Sequence, residues 1–114
     1  MDNDRHDLPR CDAAVTRAFS VLGKRWNGMI LGVLGGGPAS FVVLRRAVTG
    51  ISDTVLSDRL AELAEHDLVL RTVDSGPPLS VRYELTEAGL GLVPSLNGLA
   101  QWAAGTMMKE RREA

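Results

Sequence analysis

The chain contains a single cysteine, Cys11. This excludes an internal disulfide and fits a reducing compartment. No apolar run approaches the roughly 18 residues needed to cross a bilayer. The longest candidate, Met29 to Leu34, reads as a buried helix. The opening residues, Met1 to Asp7, are acidic and polar, which is the wrong chemistry for a signal peptide. A cytoplasmic location without a membrane partner is therefore expected. His6 and His66 are far apart, and neither shares a metal-ligand spacing with Cys11. Neither a metal nor a cofactor is expected. Gly-rich phosphate loops, nucleophile elbows and paired catalytic carboxylates are missing too, since Gly35 to Gly37 lead into Pro38 and not into Lys-Ser or Lys-Thr. An enzyme is the least supported class.

Basic excess is also absent. Lysine and arginine number 13 against 14 acidic residues, for a net charge of −1 in 114 residues. Nucleic-acid modules usually carry a positive balance, because neutralised phosphates supply most of their binding energy. Any positive face here must arise from local placement.

What the sequence does contain is an ordered change of periodicity. Val15, Ala18, Phe19 and Leu22 mark a first helix, with Asp12 as N-cap and Gly23 as stop. A second helix is predicted from about Lys24, with Trp26, Met29, Ile30, Val33 and Leu34 on one face and Gly35 to Pro38 ending it. Gly28 and Gly32 lie inside it and cost up to ~1 kcal/mol each relative to alanine. Close packing against another helix is the expected reason for them. Ser40 caps a third helix with Phe41, Leu44 and Val48 inward and Arg45 and Arg46 outward. After a break at Thr49-Gly50, Ser52 caps a fourth helix that runs to about His66, where Leu56, Leu60 and Leu63 repeat at helical spacing. Two alternating segments, 68–73 and 80–85, follow, joined by the proline-rich 74–78, which reads as an extended wing tip. Val81, Tyr83 and Leu85 form their inward face. Thr86 caps a last helix to about Lys109, with a kink expected at Pro94.

Helix, turn, helix, hairpin is the order of a winged helix-turn-helix: mostly α, with a small β-hairpin wing. One domain is expected over 11–109, between a flexible segment 1–10 and a tail 110–114. Opposite the leucines of the fourth helix stand Thr54, Ser57, Asp58, Ala61 and Glu65. If this helix enters a DNA groove, Ser52, Thr54, Ser57 and Asp58 are the base-contact candidates; Asp58 could accept from cytosine N4. Arg45, Arg46, Arg59, Arg71 and Arg82 are the phosphate candidates, although Arg59 could equally pair with Glu62 at i+3. The last helix carries Leu92, Val93, Leu96, Leu99, Ala100, Trp102, Ala103 and Met107, more apolar surface than one small core absorbs. A dimer interface built from Val15, Phe19, Leu92, Leu96, Leu99, Trp102 and Ala103 is expected.

Several pieces recur together: Cys11 ahead of the first helix, the stretch Leu22 to Trp26, Gly37-Pro38, Phe41 to Arg46, Gly50 to Ser52, Leu56 to Leu60, Leu63, Asp67 to Val69, Pro77-Pro78 and Val81 to Thr86. In this order and spacing the chain resembles the HxlR-type family of bacterial transcriptional regulators, relatives of the MarR-type winged-helix proteins. The resemblance covers about residues 11–103. It implies a homodimer held by its first and last helices, offering two recognition helices to a palindromic operator in double-stranded DNA. It also implies a redox or electrophile sensor at Cys11, answering an oxidant or small-molecule effector. Arg10 and a nearby helix start would favour the thiolate there. A structural, small apolar Cys11 is the other reading. The chain departs from the family pattern at Gly28 and Gly32, at Asp53 and Asp58 on the reader helix, and at Gly76 in the wing. The acidic pair motivates an alternative, a winged-helix module that binds protein instead of DNA. A third reading places an apolar ligand between the last helix and the core.

Overall fold

The computed structural model describes residues 12–108. Cys11 and the terminal segments 1–10 and 110–114 lie outside the described residues. The elements are α1 (Ala13–Leu22), α2 (Asn27–Leu34), α3 (Phe41–Ala47), α4 (Asp53–Glu65), β1 (Val69–Asp74), β2 (Ser80–Leu85) and α5 (Glu87–Thr106).

Four helix starts are fixed by local side-chain chemistry. Asp12 Oδ1 accepts from the Ala14 and Val15 N–H groups at 2.7 and 3.1 Å. Ser40 and Ser52 Oγ accept from Val43 and Val55 N–H, each at 3.2 Å. Thr86 Oγ1 accepts from Gly89 N–H at 3.0 Å. Each cap satisfies a donor that the first helical turn would otherwise leave unpaired.

α2 begins three residues later than the sequence reading placed it. Trp26 adopts φ +82°, left-handed backbone incompatible with a helix interior, so Lys24 to Trp26 form a turn and Asn27 opens the helix. The buried stripe is therefore Asn27, Ile30, Leu31 and Leu34, while Met29 is 56% exposed. This rotation also corrects the reading of the two glycines. A Cβ added at Gly28 or Gly32 would meet nothing within 4 Å, so neither lies against another helix of this subunit. Gly32→Ala should accordingly stabilise the protein by about 1 kcal/mol. Urea unfolding would show a raised midpoint at constant slope; a lowered midpoint would mean the position is covered.

The core gathers Ile30, Leu31 and Leu34 of α2, Leu44 of α3, Val48 and Ile51 of the following turn, Leu56, Leu60 and Leu63 of α4, and Val69 and Leu85 of the hairpin. Gly50, at φ +95°, makes the turn between α3 and α4, and the Trp26 ring lies 3.6 Å from where its Cβ would stand. α4 ends in a left-handed Asp67 (φ +62°), with Leu68 N–H donating to Leu63 O at 3.0 Å and Asp67 N–H to Ala64 O at 2.9 Å. This pair of bonds closes the helix and turns the chain into β1.

β1 and β2 pair antiparallel from Val69↔Leu85 to Asp74↔Ser80. A third partner escaped the sequence reading. Ala39 bridges Tyr83, with N–H to carbonyl bonds of 2.9 and 2.8 Å, and so ties the entry of α3 to the wing. α5 runs as one helix through Pro94. Its N-terminal turn is seated by Gly89, its one buried residue.

Candidate nucleic-acid interface

The capped start of α4 sets the geometry of the exposed face. Leu56, Leu60 and Leu63 anchor the helix in the core, which leaves Thr54, Ser57 and Asp58 exposed. Across from them stands the inward face of the hairpin. Together Asp53, Thr54, Ser57 and Asp58 of α4, Phe41 of α3, and Arg71, Val81 and Tyr83 of the strands line an open cleft of about 600 Å³. The hydroxyls of Thr54 and Ser57 and the carboxylates of Asp53 and Asp58 thus line the cleft with one guanidinium over a partly apolar floor. Such a set can exchange hydrogen bonds with base edges while Arg71 takes a phosphate. Ser52 lies at the helix entrance with its oxygen already engaged in capping, which leaves its hydroxyl proton as the group free to donate.

The five arginines are not equivalent. Arg71 lines the cleft. Arg45 does not line it but is paired with Asp53, which does, Nη1 to Oδ1 3.2 Å and to Oδ2 3.5 Å. Arg46 is exposed and, among the described residues, makes no ion pair. Arg82, opposite Thr72 in the ladder, alternates with Tyr83 and so points to the face of the wing away from α4. Arg59 bonds Glu62 at 2.6 Å. At 100° per residue it lies about 160° around α4 from Ser57, on the opposite flank. Of the two alternatives open for Arg59, the structure shows the pair with Glu62.

That pair belongs to a network the sequence reading did not anticipate. Lys24 Nζ, in the α1–α2 turn, bonds Glu62 Oε2 at 2.6 Å, across a separation of 38 residues. Nothing local signals a contact at such range. Glu62 is only 18% exposed, whereas Lys24 is 51% exposed. The Lys24 hydrogen bond, first, holds the Glu62 carboxyl below its ordinary value of 4.5; burial opposes this, and the Lys24 charge with the Arg59 hydrogen bond and charge add to the lowering. A carboxylate held low in the folded state contributes stability above about pH 4.5 that fades as the pH falls through its folded value. Glu62→Gln should therefore cost about 1–2 kcal/mol at pH 7. The deficit should be constant above about pH 4.5 and shrink progressively as the pH falls below it through the folded value, and unfolding curves taken from pH 7 down the acid range would check this. A deficit that does not change with pH anywhere down to acid unfolding would show that charge is not the cause.

The terminal helices α1 and α5 leave apolar surface open. Phe19 and Val15 of α1 are each 53% exposed, Trp102 of α5 57% and Leu99 47%. Leu92, Leu96 and Ala103 are half-buried. An apolar groove of about 350 Å³ runs between the helices, lined by Ala18, Val21, Leu22, Leu68, Ala88, Gly91 and Leu92. No helix among the described residues is long and apolar enough to cross a membrane.

A cleft-bearing helix beside a short hairpin wing defines a winged helix-turn-helix DNA-binding protein. Residues 21–111 match the family model described as HxlR-like helix-turn-helix, so the chain belongs to the HxlR family. It is 42% identical over 86 residues to the HTH-type transcriptional regulator YodB of Bacillus subtilis (strain 168), covering 75% of this chain and 77% of that protein. The reduced form of YodB superposes with a TM-score of 0.75 at 37% identity, covering 85% of this chain and 95% of that one. The redox regulator HypR in its reduced form gives 0.78 at 28% identity, covering 83% and 94%. With the family model, these relatives make this chain a DNA-binding transcriptional regulator.

Proposed function

We propose that the protein acts as a homodimer that binds a palindromic operator through paired α4 helices, and that an oxidant or quinone modulates this binding through Cys11. Binding, and not catalysis, is its work, and the cytoplasm is its place. The observation that carries the first half is the division of labour in the structure. The polar cleft of Thr54, Ser57, Asp58 and Arg71 lies on one side. The exposed apolar residues of α1 and α5 supply a surface for a second copy. Thr54, Ser57 and Asp58, with Ser52 at the entrance, read bases. Arg71, with Arg45, Arg46 and Arg82 around the cleft and wing, holds phosphates, while Arg59 serves the fold. A salt titration of duplex binding tests this, because each phosphate held contributes about −0.9 to the slope of log affinity against log salt. A slope near zero would contradict it.

The effector reading rests on chemistry and on relatives. YodB is known in reduced, diamide-treated and quinone-bound forms. With one cysteine per chain, oxidation can link thiols only between two chains, each Sγ giving up a proton and an electron to the oxidant. A quinone would instead take the Cys11 thiolate as nucleophile, forming a ring carbon–sulfur bond and leaving a hydroquinone after protonation. Diamide or a benzoquinone should weaken operator binding by the wild type about tenfold or more and leave Cys11→Ser unaffected, a difference expected for coupling between sites. Fluorescence anisotropy reads both, and equal responses would make Cys11 structural.

A further inference from the structure

We propose that Asp53 is a built-in competitor for the phosphate that Arg45 would hold, and that it thereby limits how tightly the reader face grips duplex of any sequence. This rests on the DNA-binding reading and deepens it. Arg45 lies in the last turn of α3 and Asp53 in the first turn of α4. Their pair spans the turn between the two helices at 3.2 Å.

Both side chains are open to water, 44% and 63% exposed, so the pair adds little to folding and can exchange partners readily. The carboxylate also stands in the wall of the cleft with Thr54, Ser57, Asp58 and Arg71, on the side an incoming polyanion meets. There it neutralises the nearest cation and repels adjacent phosphates. Capture of a phosphate by Arg45 then replaces an existing ion pair instead of adding one. The start of α4 does not depend on Asp53, because Ser52 supplies the cap.

Phosphate contacts position a protein on DNA but carry no sequence information. Blunting one of them leaves the base-facing side chains a larger share in deciding where the protein rests. The balanced overall charge of −1 points the same way.

The test uses the full chain and a labelled random-sequence duplex of about 30 base pairs, titrated by anisotropy from about 50 to 300 mM salt. Asp53→Asn should bind about three- to tenfold tighter at the lowest salt, with a slope steeper by about 0.9. The gain should shrink by at least half when Arg45→Ala is also present. Asp53→Ser repeats the measurement with a second uncharged side chain, and the thermal midpoint of each variant confirms folding. Wild-type affinity and slope in both neutral variants, or an undiminished gain without Arg45, would overturn the proposal while leaving DNA binding intact. A failure of wild type and variants alike to bind at the lowest salt would remove the DNA-binding reading itself.

Discussion

Phe19→Glu combined with Leu99→Glu should yield a folded monomer whose operator affinity is lower by at least about a hundredfold, the scale of lost avidity when two linked sites become one. Both side chains lie outside the core cluster and are about half exposed, 53% and 47%, so each subunit can tolerate the charge. A dimer cannot. Placing carboxylates in an apolar interface without partners costs several kcal/mol each at an order-of-magnitude level. Light scattering should report one chain per particle, and the far-ultraviolet circular dichroism should match the wild type. Anisotropy would then show a weak, shallow binding curve. A variant that stays dimeric and keeps its affinity would mean that α1 and α5 do not hold the subunits together.

The second large effect concerns how α5 is seated. A Cβ at Gly89 would stand 2.3 Å from the Leu68 carbonyl oxygen and 3.2 Å from Leu85 side-chain atoms. The same carbonyl accepts from Thr86 N–H at 3.0 Å, while the Thr86 hydroxyl donates to Asp67 O at 2.7 Å. Any side chain at 89 must therefore push the helix off the α4–β1 corner and strain these bonds. Gly89→Val should cost about 3 kcal/mol, the upper range for overpacking a tight site, and should weaken the dimer as α5 shifts. Gly91→Ala is the matched control: a Cβ there meets nothing within 4 Å, and it should be neutral or stabilising. Urea unfolding separates the two. Equal midpoints for Gly89→Val and wild type would show that the helix can move at no cost.

What the sequence disclosed and what it hid divide along physical lines. Asp12, Ser40, Ser52 and Thr86 were legible as caps because capping is chemistry within three residues. Leu56, Leu60 and Leu63 were legible because spacing alone places them on one side of α4. From these two facts the exposed face of Thr54, Ser57 and Asp58 followed. Trp26 was not legible: a bulky residue in left-handed backbone is held by its surroundings, here the packing near Gly50, and periodicity carries no trace of it. Taking Trp26 as helical misplaced Met29 and, with it, the account of Gly28 and Gly32. Ala39 beside Tyr83 and Lys24 beside Glu62 are contacts between distant segments, which only the folded chain creates. The same limit hid Phe41, Val81 and Tyr83 as cleft residues and the pairing of Arg45 with Asp53, and it left Arg59 undecided between a phosphate and Glu62.

Selection of bound sequences from a random duplex library tests the central claim most directly. Two α4 helices presented by one dimer should enrich a palindrome whose half-sites lie about 10–10.5 base pairs apart, or a multiple of that, centre to centre. Enrichment of a lone half-site, or of nothing, would contradict it.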